Sequence, residues 1–110
     1  MIRPGRVVLA PLPGAVQTKT RPCVVVSTDV YHATRQDLIL AVLTTVVADA
    51  TQPSDYVLQD WSIAGLHRPS AFRAFLQTLP ARIVRREFGD LSPRDWQEVQ
   101  ARLRLALAVT

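Results

Sequence analysis

The chain is short of most of the residues on which catalysis and cross-linking commonly rest. It has one cysteine, two histidines, four glycines and 6% aromatic residues in 110 positions. A single cysteine, Cys23, excludes an internal disulfide framework. His32 and His67 stand alone without ligand spacing, so no zinc motif is present. The nine carboxylates fall mostly in turn-like stretches and form no obvious pair, which argues against a carboxylate-held metal, and no cofactor is expected. A glycine-rich phosphate loop and a G-x-S-x-G elbow are both missing. No apolar run is long enough to span a bilayer, so no membrane partner is expected. Met1 to Arg6 is basic but leads into a short apolar run broken by prolines, unlike a signal peptide. A cytoplasmic location is the expectation.

What is present is an ordinary globular balance, 48% hydrophobic and 20% charged, in a length that suits one domain over residues 1–110. With so few aromatics, the core must be built from Val, Leu, Ala and Ile. The net charge is +4, and of the 13 basic residues only Lys19 is lysine. Arginine suits bidentate phosphate contacts. A GC-rich coding bias would give the same excess, so charge alone is weak support for a nucleic-acid partner.

Around Lys19-Thr20-Arg21-Pro22-Cys23-Val24-Val25-Val26-Ser27 a cationic segment meets the most apolar run in the chain. The consecutive β-branched valines predict a strand buried on both faces. Pro22 suits the first residue of a strand and biases Arg21 towards an extended backbone. This places Arg21 at a strand mouth, where a guanidinium can clamp a phosphate. Before it, Arg6 to Ala10 predicts a strand and Pro11 to Thr20 a loop. After it come one helical turn near Tyr31, a strand over Asp37 to Thr45 ending in two hydroxyls, and a short strand at Tyr56 to Leu58. Ser70 to Thr78 alternates, with Ala71, Arg73, Phe75 and Gln77 on one face. Leu79 to Val84 predicts a turn into a short extended segment that Arg85 to Gly89 ends. Ser92 and Pro93 open a helix in which Trp96, Val99, Leu103 and Leu107 form a packing stripe, with Asp95 placed for a capping box. Without βαβ alternation, a small antiparallel barrel or strongly bent sheet fits best.

If the strands carrying Arg21 and Thr44 are antiparallel neighbours, guanidinium and hydroxyl meet at one rim and can hold a phosphate between them. The alternative is a solvated arginine beside a strand end that merely carries threonines. Cys23 reads as a small core residue.

The ordered set of motifs resembles the MazF/PemK family of toxin endoribonucleases. Gly5-Arg6-Val7-Val8 is similar to the family's opening strand, Arg21-Pro22 to Ser27 to its Arg-Pro strand, and Leu43-Thr44-Thr45 to the end of its Pro-Ile-Thr-Ser segment. Gly65-Leu66, Ser70 to Gln77, Thr78-Leu79 with Arg82, and Gly89-Asp90-Leu91-Ser92 resemble the remaining blocks in order. The resemblance implies an α+β fold: a small SH3-like, strongly twisted antiparallel barrel with a C-terminal helix, assembled as a homodimer. It implies metal-independent cleavage of single-stranded RNA, giving a cyclic phosphate and a 5′-hydroxyl, and a MazE-like antitoxin whose disordered segment covers the site. By position, Arg21 and Thr44 would be catalytic, and Lys19, Ser27, Thr45, Gln77 and Arg82 supporting or interface residues. Two positions depart: Val16 stands where many members carry Glu, and Val42 where they carry Pro. A non-catalytic relative of the gyrase-poison (CcdB) type relies on an aromatic C-terminal tail, which Leu105 to Thr110 lacks. A plain nucleic-acid-binding domain would use Arg21 only to anchor phosphates.

Overall fold

The structure is a computed structural model in which residues 2–109 are described. Met1 and Thr110, at the ends of the basic N-terminal stretch and the C-terminal tail read above, lie outside them. Six strands follow in order: β1 (Arg6–Pro13), β2 (Thr18–Val25), β3 (Asp37–Thr44), β4 (Tyr56–Val57), β5 (Ala71–Pro80) and β6 (Arg86–Asp90). Helix α1 (Asp29–Thr34) follows β2, and helix α2 (Pro93–Ala106) follows β6. The strands form one sheet in the order β4-β5-β3-β2-β1-β6. Every neighbouring pair is antiparallel. The sheet curls into a half-barrel beside the C-terminal helix, the strongly twisted α+β architecture expected.

Alternation along each strand assigns residues to two faces. Val7 of β1, Val24 of β2, and Ala41 and Leu43 of β3 pack with Phe72, Leu91 and Val99 under α2. Val8, Ala10, Leu12, Cys23, Val25, Leu38 and Leu40 form the opposite cluster, closed by Ala81, Ile83 and Val84. Burying each of the larger side chains contributes about 1.5–3 kcal/mol, which is how aliphatic residues hold a sheet with so few aromatics.

The strand readings need correction in three places. The stretch Pro11 to Thr20 is largely strand, since Pro11 pairs with Thr20, Pro13 pairs with Thr18, and only the tip at 14–17 turns. The tip is closed by the Gly14 N–H donating to the Gln17 carbonyl at 3.0 Å. Prolines are tolerated there because β6 pairs with β1 only as far as Leu9, leaving Pro11 and Pro13 on a free edge. Pro22 likewise lies inside β2, because β3 joins β2 only from Cys23 onward. Arg21 therefore sits mid-strand opposite Ala10, not at a strand mouth. After β5, residues Ala81–Ile83 make a 3-10 turn instead of an extended segment, and the charged stretch read as its end is β6. The β6 edge is held by charge: Arg6 Nε donates to Glu87 Oε1 at 3.1 Å and Arg3 pairs with Asp90.

Helix α2 begins as expected, with the Asp95 N–H donating to the Ser92 hydroxyl at 3.2 Å and Val99 fully buried. Leu107 does not extend the stripe; it ends the helix and is largely exposed. The Asp95 carboxylate does not close a capping box. It is fully buried and accepts from the Tyr56 hydroxyl at 2.6 Å, the Gln59 N–H at 3.0 Å and the Asp60 N–H at 2.8 Å. Asp60 in turn accepts from the Ser92 hydroxyl and from Arg94 Nε and Nη2 at 2.6–2.7 Å. Those bonds, Arg94's first and Ser92's next, hold its carboxyl at about 2. Burial, reinforced by the bond to Asp95, pushes the Tyr56 phenol up to about 12. The helix N-terminus is thus stitched to the chain leaving β4. Two turns further on, Arg102 Nε donates to the Asp55 carbonyl at 3.2 Å.

Candidate functional site

The β2–β3 ladder ends with Cys23 opposite Val42. Two residues further out along each strand, on the face shared by Cys23 and Val42, come Arg21 and Thr44. Period-two geometry puts Lys19 on the same face again. The third wall comes from β5. Its pairing with β3 shifts between Ala41 and Leu43, where the three residues 73–75 oppose Val42 alone. This bulge lies inside the ladder and keeps Arg73, Phe75 and Gln77 facing the same side, beside Val42 and Thr44. The end of the β1–β2 hairpin, from Pro13 to Gln17, borders the opening. Together these elements enclose a cleft of about 520 Å³.

Arg21, Thr44, Lys19 and Gln77 all line this cleft. So do Arg73, Phe75 and Asp49, which the sequence did not single out. Lys19, Arg21 and Arg73 face one lining carboxylate, that of Asp49, so the cleft is cationic. Lys19 and Arg21 make no ion pair among the described residues. The Thr44 hydroxyl accepts the Val46 N–H at 3.1 Å, which leaves its own proton free to donate. Gln77 Nε2 donates to the Pro13 carbonyl at 2.9 Å and so ties β5 to the hairpin across the cleft. Arg73 lies with its guanidinium carbon 4.4 Å from the centroid of the Phe75 ring and its Nε 3.7 Å from Asp55 Oδ1. Asp55 is itself fixed by accepting the Gln52 N–H at 3.0 Å.

The other three residues lie elsewhere. Ser27 is buried; its hydroxyl accepts the Ile39 N–H at 3.0 Å and contacts His32 Nε2 at 2.5 Å, which docks α1 on β3. Thr45 points to the opposite face and lines a second hollow of about 250 Å³ with Leu9, Pro22, Leu66 and Phe88. Arg82 is exposed on the 3-10 turn after β5. Cys23, the one free thiol, is buried beneath the cleft with its Sγ donating to the Arg21 carbonyl at 3.3 Å. Burial pushes this thiol up to about 12, although Arg21 pulls the other way. No group of three or more His, Cys, Asp or Glu side chains among the described residues could hold a metal ion. No helix among them is long and apolar enough to cross a membrane.

With this geometry established, the chain can be set beside known proteins. Residues 3–107 match the family model of PemK-like, MazF-like toxins of type II toxin–antitoxin systems. The chain belongs to that family. Solved structures with the same fold include a mycobacterial endoribonuclease in complex with its cognate antitoxin, with a TM-score of 0.79 and 18% identity over 98% of this chain and 96% of that one. The Mycobacterium tuberculosis toxin MazF-mt6 superposes with a TM-score of 0.73 at 18% identity, covering 96% of this chain and 98% of that one. MazE–MazF from Deinococcus radiodurans does so with 0.74 at 17% identity, covering 98% and 96%. No curated protein matches the sequence. At such identities the solved MazF structures speak for the fold, and the chemistry must be argued from this chain's own side chains.

The MazF/PemK frame also shows where a signal for Arg73 and Phe75 lay. The alternation of β5 had set both on the face of Gln77, but neither belongs to a motif. What was not readable was the bulge that turns that face into a cleft wall.

Proposed function

We propose that the chain is the toxin of a type II toxin–antitoxin pair and cuts single-stranded RNA internally. The ribose 2′-oxygen attacks the adjacent phosphorus, and the 5′-oxygen leaves and takes a proton from solvent water, giving a 2′,3′-cyclic phosphate and a free 5′-hydroxyl. The observation that carries this reading is the meeting of Arg21, Thr44 and Lys19 in one cleft, with neither cation in an ion pair among the described residues. A phosphate in the cleft receives a guanidinium and a threonine hydroxyl as donors. Both act where charge grows on the phosphoryl oxygens in the transition state. Arg21 stays protonated and can support the charge on the leaving oxygen, but it is no base. Asp49 is the one lining residue with a carboxylate, and in this reading it accepts the 2′-hydroxyl proton. Lys19 and Arg73 hold flanking phosphates, and Gln77 keeps the hairpin over the bound strand. The reaction as written needs no metal or cofactor. Two copies of the chain forming a homodimer, and a MazE-like antitoxin laying a disordered segment over the cleft, complete the proposal.

The test is incubation of the purified protein with mixed-sequence single-stranded RNA in the presence of EDTA. Cleavage is expected, with products ending in cyclic phosphate. It should be lost in Arg21→Ala and Thr44→Val, and blocked by a 2′-deoxy substitution at the cut site. RNA that is bound but left intact would sink the catalytic reading and favour a binding domain. Gyrase inhibition without RNA cleavage would favour the non-catalytic relative.

A further inference from the structure

Phe75 is 58% exposed although it lies in a sheet strand and borders a cleft. The Arg73 guanidinium covers one face of the ring at 4.4 Å. With that face covered and more than half of the residue still accessible, the opposite face is open to the cleft. The guanidinium is not free to swing away. Asp55, 95% withdrawn from solvent at its side chain, holds Arg73 Nε by charge at 3.7 Å. Among the described residues that Nε has no hydrogen-bond partner, so the hold on Arg73 is by charge alone. Asp55 is fixed in turn from two sides, through its carboxylate by the Gln52 N–H and through its carbonyl by Arg102 of α2. The result is a flat aromatic–guanidinium pair, braced from the helix, on the wall of a cationic groove.

We infer that Arg73 and Phe75 form a stacking platform for one unpaired nucleobase of the bound strand. This rests on the reading of the cleft as a site for single-stranded RNA and adds where a base is gripped. Every nucleobase has a π face, and aromatic rings and arginine planes are the surfaces on which unpaired bases stack. The phosphates of the same strand are then held by Lys19 and Arg21, with the Nη groups of Arg73 reaching a third. Cations and ring contribute separately: the cations fix the backbone, and the ring distinguishes a strand with bases from one without. A base on this platform also fixes which nucleotide lies at Arg21 and Thr44, so the platform sets the register of the cut.

Binding of uncleavable deoxyribose octamers separates the two contributions. A mixed-base octamer is compared with an abasic octamer carrying the same number of phosphates. The wild-type protein should bind the base-bearing octamer roughly ten-fold or more tightly than the abasic one. Phe75→Ala should bind both alike, at the abasic level, with an unchanged dependence on salt. Phe75→Trp should restore discrimination, with its indole fluorescence quenched on binding. The exposed position leaves the core untouched in these variants, and circular dichroism checks their fold. If Phe75→Ala still discriminates as the wild type does, the platform is overturned and the ring serves another partner, such as a protein segment. If the wild type binds neither octamer and leaves RNA intact, the RNA reading itself fails, a result distinct from loss of discrimination alone.

Discussion

Replacing Asp95 offers the sharpest test of how the sheet and helix α2 are joined. Its carboxylate is fully buried and takes three donors, the Tyr56 hydroxyl and the N–H groups of Gln59 and Asp60. Asp95→Ala removes all three acceptor contacts at once and leaves the donors facing a void. An orphaned buried donor costs about 1–3 kcal/mol, and the two backbone groups lie where water can partly reach them, so the sum should be about 3–6 kcal/mol. Asp95→Asn keeps the volume and one oxygen but turns an amine towards at least one donor, for about 2–4 kcal/mol. Tyr56→Phe removes the bond to Asp95 and a long one of 3.4 Å from Gln59 Nε2, whose exposed amide water can satisfy, so it should cost only about 1–2 kcal/mol. The order Ala, then Asn, then Phe follows from the donor count, whatever the absolute scale. Urea unfolding followed by far-ultraviolet circular dichroism, at one fixed protein concentration because self-association would shift the midpoint, reads all three. An Asp95→Ala variant within about 1 kcal/mol of the wild type would refute the reasoning. So would Tyr56→Phe proving the worst of the three.

Three further outcomes are expected. Binding of single-stranded RNA should weaken with salt, with a slope of log K against log salt of about −2 if Lys19, Arg21 and Arg73 each neutralise one phosphate, and Arg21→Ala should flatten it by about 0.7; a flat profile in wild type would count against phosphate contacts. The Cys23 thiol, buried and pushed up to about 12, should resist alkylation by iodoacetamide at pH 8 in the folded protein and react on unfolding; mass spectrometry before and after denaturation decides it. The Asp60 carboxyl is held near 2 against an ordinary 3.8, so the stabilisation it brings is present in full above about pH 4 and is lost as pH falls through 2. Titration of its carboxyl carbon by NMR should show Arg94→Ala raising it towards the ordinary value, and no movement would mean that the Arg94 contact is absent in solution.

The parts that could be read in the sequence are those set by local rules. Ser92 and Pro93 announced helix α2, because a hydroxyl before a proline satisfies the first free N–H groups without tertiary help. The alternation of β5 gave its two faces correctly. The valine run gave the interior of β2. What escaped was set by neighbours. Pro11 and Pro13 looked like breaks and Pro22 like a strand start, and all three are harmless inside their strands only because no strand pairs on the side where each would need an N–H. Charged β6 carries almost no apolar pattern and exists because β1 offers it an edge and Arg6 a counter-charge. Asp95 sits where a capping box would use it, but the chain leaving β4 brings better donors. Arg21 and Thr44 were singled out in the sequence, and they share a cleft because β2 and β3 are antiparallel. Arg73 and Phe75 were not, since their place depends on a bulge that no dipeptide marks.

The two hollows lie back to back across the outer ends of β2 and β3. Arg21 and Thr44 serve one, and their chain neighbours Pro22 and Thr45 serve the other. Insertion or deletion of one residue in either strand would exchange these pairs, putting a proline or the wrong threonine where the cation and hydroxyl now stand. Change in this protein is therefore confined by length: the strands can vary only by substitution, while the tip at 14–17 is free to grow or shrink. Libraries that seek a new target preference should vary loop length there and leave the two strands at their present count.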